Sequence, residues 1–104
     1  MHYVVIGNHS AEVCPMSNAK TKALMLEMAP QIPKIAEQTS VKIVAGPYVN
    51  REHSVVTVLE AATSENLDRF LVESRLEQWN TIHILPSVTM EQGMTELQSC
   101  NPIF

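Results

Sequence analysis

The chain has 104 residues, 45% of them hydrophobic and 17% charged, enough for one core and too apolar for a disordered segment. Seven basic against eleven acidic residues leave a formal net charge of −4. The basic residues are scattered from Lys20 to Arg75, so no stripe offers a phosphate backbone a track, and nucleic acid is excluded as the expected partner.

The first run, Tyr3-Val4-Val5-Ile6, is β-branched and ended by Gly7-Asn8, which predicts a strand and a turn. From Ser17, read as an N-cap, to Gln38 the spacing of Leu24, Met28, Ile32 and Ile35 is helical. Pro30 and Pro33 interrupt that stretch, predicting a kink or two successive helices. Val41 to Ala45 reads as a second strand closed by Gly46-Pro47, and His53 to Glu60 as a third, joined to it as a hairpin. A second helical segment opens near Thr63 or Ser64, with Leu67, Phe70 and Leu71 on one stripe. Thr81 to Leu85 is the fourth strand, stopped by Pro86. Thr89-Met90-Glu91-Gln92 is a capping box that opens a short last helix carrying Met90, Met94 and Leu97 on one side.

The order β-α-β-β-α-β plus a terminal helix predicts one α+β domain over residues 1–104, a ferredoxin-like antiparallel sheet. Right-handed crossovers put the first and third strands in the centre, for a strand order of 4-1-3-2. A sheet with helices on one side only should alternate apolar and polar residues. Val55-Val56-Thr57-Val58-Leu59 is apolar on both faces, as is Tyr3 to Ile6. A homodimer packed through the second sheet face is the economical explanation, the alternative being a terminal helix folded beneath.

This architecture resembles the dimeric α+β barrel superfamily, which includes muconolactone-isomerase-like, antibiotic-biosynthesis-monooxygenase-like and YciI-like proteins. Locally the resemblance rests on Trp79-Asn80-Thr81-Ile82-His83-Ile84-Leu85-Pro86, a last strand ending in proline before an acidic short helix. It implies a dimeric barrel with a cavity between sheet and helices. It also implies the oxygenation or isomerisation of a small aromatic or carbonyl compound as candidate activities. No catalytic residue carries over, because no diagnostic motif matches. Three other ferredoxin-like classes lack their signatures here: the strand aromatics of RNA-recognition modules, the CxxC of metal chaperones, and the arginine-bearing loop of acylphosphatases.

The apolar run at Tyr3 is too short for a signal peptide or membrane span, and no basic region precedes it. Cys14 and Cys100 form neither a CxxC pair nor a disulfide framework. A cytoplasmic protein with no membrane partner is expected.

The proposed topology gathers His9, Cys14, Tyr48, His53 and His83 at one sheet edge, and these are the candidate site residues. A histidine beside a tyrosine can move a proton on a carbonyl or phenolic substrate, and Cys14 stands near a helix N-terminus. Taken singly, four of them have blander readings: loop histidines at His9 and His53, a hydrogen-bonded histidine at His83, an inert thiol at Cys14. Gly7, Gly46 and Gly93 stand apart and form no phosphate loop. Three readings stand side by side. The first is a cofactor-free small-molecule binder or enzyme. The second is a metal-binding dimer using His9, Cys14 and a strand histidine. The third is a non-catalytic dimeric interaction or stress protein.

Overall fold

Strand β1 (His2–Asn8) leads through a 3-10 turn (Ala11–Val13) to helix α1 (Ala19–Met28). A second 3-10 turn (Ala29–Gln31) joins α1 to α2 (Ile32–Gln38), so the proline-interrupted stretch is two helices. Strands β2 (Val41–Val49) and β3 (Ser54–Ala61), helix α3 (Ser64–Glu73), a single turn α4 (Leu76–Trp79), strand β4 (Thr81–Ser87) and helix α5 (Met90–Ser99) complete the chain. The computed structural model describes all 104 residues.

The four strands form one antiparallel sheet in the order β2-β3-β1-β4. That is the expected 4-1-3-2 arrangement, and the α+β fold is compatible with a ferredoxin-like one. Asn8 at the end of β1 pairs with Ser54 at the start of β3 and with Thr81 at the start of β4. Three strand ends and the loops that leave them therefore share one edge.

Period-two alternation decides which strand residues meet the helices. Tyr3 and Val5 of β1, with Leu59 and Ala61 of β3, are buried against Ile32, Ile35, Leu67, Phe70 and Leu71. Phe70 and Leu59 are wholly enclosed, each contributing about 1.5–3 kcal/mol by burial. The intervening residues Val4, Ile6, Val56 and Val58 lie on the other face and are only half-buried.

Three local features depart from the sequence reading. Asn18, not Ser17, caps α1, its side-chain oxygen accepting from the Thr21 amide at 3.0 Å. Ser17 instead donates to the Ala11 carbonyl inside the preceding loop. Strand β2 continues through Gly46-Pro47 to Val49, with register shifts on either side of Ala45. Gly46 makes this passage with φ +82, where an added Cβ would stand 2.7 Å from the Val56 carbonyl oxygen. Pro86 does not end β4, which runs to Ser87. Both prolines lie on edge strands, where the missing N–H deprives no neighbour of a ladder bond.

The Thr89 capping box forms as expected, with Thr89 and Gln92 bonded reciprocally. Yet α5 buries none of its residues and does not fold into the core. The radius of gyration is 15.9 Å, against about 13 Å for a compact chain of this length. No helix is long and apolar enough to cross a membrane.

Candidate functional site

Two loops build the site at the edge where β1 ends. In the first, the Cys14 carbonyl accepts from the amides of Ser17 at 2.9 Å and Asn18 at 2.8 Å. These bonds turn the chain into α1 and leave the Cys14 side chain buried. Asn18 reinforces the turn by donating its side-chain amide to the Glu12 carbonyl at 3.0 Å. In the second loop, residues 50–53, the Asn50 side-chain oxygen accepts from the Glu52 amide at 2.9 Å and the Ser54 hydroxyl at 3.0 Å. His53 closes that loop in the left-handed region, φ +55. Non-glycine residues seldom adopt this conformation, and in this loop it aims the chain back at β1. The His53 carbonyl then accepts from the His9 amide at 3.0 Å, lashing the two loops together.

The side chains converge accordingly. One ligating atom each from His9, Cys14 and His53 lie within 4.8 Å of one another, with Cys14 buried and both histidines half-buried. The His9 ring packs edge-on to His53 with centroids 5.6 Å apart, and tilted against Trp79 at 4.9 Å. His9 Nδ1 stands 2.8 Å from Asn80 Oδ1.

Asn80 is buried in front of β4, and its Nδ2 donates to the Leu76 carbonyl at 2.9 Å. That bond settles which end of the amide faces His9: the oxygen, an acceptor only. His9 Nδ1 must therefore carry a proton and donate it, so that in the neutral ring the free lone pair is on Nε2. Gly7 makes room for this arrangement, since a Cβ there would stand 3.0 Å from the Asn80 side chain.

A cavity of about 240 Å³ opens beside these groups. His9, Cys14, Asn50 and Ser54 line it, and its apolar walls include Met25, Val49, Val55 and Trp79. The cavity expected between sheet and helices is not found where Val5 and Phe70 lie, because both are packed into the core with Leu24 against it. The cavity lies at the sheet edge, between the two loops and α1.

The structure thus brings together His9, Cys14 and His53 and leaves Tyr48 and His83 outside. Tyr48 pairs with Val56 on β3 and is exposed. His83 pairs with Ile6, on the sheet face away from the helices, and is exposed too. Asn80 is the contributor the sequence did not single out. A small polar residue just ahead of a strand reads as a turn residue, and nothing in the order of residues marks its bond to His9, 71 positions away. No protein-family model matches the chain, and no curated protein matches it.

Proposed function

We propose that the chain is a small-molecule-binding protein whose site is the cavity beside His9 and Cys14. One observation carries this reading: an apolar-walled space of about 240 Å³ whose few polar lining residues are His9, Asn50 and Ser54, with the Cys14 thiol beside them. Such a lining takes a small, uncharged, mainly apolar molecule, such as one substituted aromatic ring or a short carbonyl compound. The Nε2 lone pair of His9 orients it by accepting a hydrogen bond from a hydroxyl or amide. The reading includes a second copy of the chain covering the open sheet face, as in the dimeric α+β barrels that the sequence resembles. The half-buried Val4, Ile6, Val56 and Val58 on that face support it.

Trp79, the chain's one tryptophan, lines the cavity and reports occupancy. Phenol and small aryl ketones should quench or shift its fluorescence saturably. Val49→Trp at an exposed wall position would fill the cavity and abolish the response to a non-fluorescent ketone, read by calorimetry. Linear, non-saturating quenching in the parent chain would sink the reading.

A further inference from the structure

The donor set beside the cavity asks for more than a hydrogen-bonded ligand. Two imidazoles and one thiol come from three places in the chain, and their ligating atoms already lie within 4.8 Å of one another. In a tetrahedral zinc site, bonds of about 2.0–2.3 Å put ligand atoms roughly 3.3–3.7 Å apart. Closing the difference takes about 1 Å of side-chain rotation, a scale available to half-buried histidines on loops.

Three further features fit an ion. Asn80 holds the Nδ1 proton of His9, as outer hydrogen-bond partners of metal-binding histidines do, so Nε2 is the free donor. The backbone bond from His9 to His53 fixes the two ligand loops relative to each other. His53 also keeps a left-handed backbone at φ +55, a conformation that glycine would adopt without steric cost and that clusters at functional sites in side-chain-bearing residues.

We propose that His9 Nε2, Cys14 Sγ and one ring nitrogen of His53 form a three-ligand centre for a borderline-soft divalent ion of the zinc class. Imidazole and thiolate select such ions over magnesium or calcium, which prefer carboxylate and carbonyl oxygen, and the cluster contains no carboxylate. Binding forms a sulfur–metal bond while the Cys14 thiol releases its proton to solvent, with no change of oxidation state. His9 and Cys14 both line the cavity, so the fourth coordination position falls to a molecule there. Three protein ligands and one exchangeable position are the pattern of zinc sites that act on ligands rather than merely staple a fold. This inference rests on the cavity being the functional site and names the cofactor that would anchor its ligand.

The experiment uses the full chain, stripped with a chelator and titrated with Co²⁺ and then Zn²⁺. Expected are one equivalent of cobalt, a thiolate-to-cobalt charge-transfer band, and displacement of both by zinc. Cys14→Ser should remove the band, His9→Ala and His53→Gly should each weaken zinc binding at least tenfold, and Cys100→Ser should change nothing. His53→Gly guards against trivial unfolding, because glycine accepts that backbone conformation. A thiolate band that survives Cys14→Ser, or vanishes with Cys100→Ser, overturns the proposal, as does the lack of any band in the folded parent chain. The Trp79 titration with an aryl ketone on the metal-free chain separates the two readings. Ketone binding without cobalt binding overturns the metal centre and keeps the cavity. A band that depends on Cys14, with no ketone bound to either form, keeps the ion and overturns the cavity.

Discussion

Gly7, Asn80 and His9 form a chain of cause in which the least conspicuous residue sets the chemistry of the most conspicuous one. Because Gly7 has no side chain, Asn80 can lie against β1, and because Asn80 is anchored to Leu76, it can only accept from His9. Gly7→Ala should therefore disturb the site while leaving the strand intact. A Cβ 3.0 Å from the Asn80 side chain forces that side chain to give by a few tenths of an ångström. The nitrogen NMR signals of the His9 ring should then change from a single Nδ1-protonated tautomer to a mixture, and an unchanged spectrum would refute the account. His53 gives the opposite signature. Its φ of +55 is a local cost, so His53→Gly should leave stability between unchanged and about 1 kcal/mol higher. Denaturant melts check this, and a loss of stability would mark the ring as a structural prop.

Among the elements, capping and burial separate cleanly in α5. Its capping box is complete, yet it buries no residue. Removing the cap by Thr89→Ala should cost about 1 kcal/mol of local helix stability, without reaching the core. Hydrogen exchange should accelerate over residues 90–99 while the global melting temperature stays within a degree or so, because α5 opens independently of the sheet. Helix α3 is the contrast: Leu67, Phe70 and Leu71 are all essentially inaccessible. Phe70→Ala should cost about 3–5 kcal/mol, a large share of the stability of a domain this size, and urea unfolding would show it. Edge strands β2 and β4 tolerate their prolines for a reason that belongs to the sheet, not to the local sequence. Only their position beside solvent makes a missing N–H harmless.

At the scale of the whole molecule, the two sheet faces predict opposite outcomes for neighbouring valines. Val55 faces the helices and is buried, whereas Val56 lies on the open face. Val55→Asp should unfold the chain, since a buried unpaired charge costs several kcal/mol. If a second copy covers the open face, Val56→Asp should give a folded monomer where the parent chain sediments as a dimer. A parent chain that sediments as a monomer at micromolar concentration ends the dimer reading. The expanded shape, 53 Å long with a radius of gyration of 15.9 Å, comes from a chain whose C-terminal helix is not packed into its own core. A partner that covered both the sheet face and the apolar stripe of α5 would bury what one copy leaves in water.

Much of this architecture was legible in the order of residues. The short β-branched apolar runs at Tyr3, Val55 and Ile82, the helical spacing from Leu24 to Ile35, and the Thr89 capping box are local signals that need no knowledge of the rest of the chain. Element order together with right-handed crossovers then determined which strands are central. Through that topology the sequence also narrowed the candidate residues to one edge. The tertiary structure decided the rest. It set His9, Cys14 and His53 together and turned Tyr48 and His83 away, because a side chain's face depends on strand register and on where a loop reverses. The reversal at His53 is a single backbone conformation that no residue pattern announces. It brought in Asn80, whose bond to His9 spans 71 positions and has no periodicity to betray it. It also placed the cavity at the edge, while Phe70 and Leu59 are enclosed between sheet and helices, and only packed volumes reveal that.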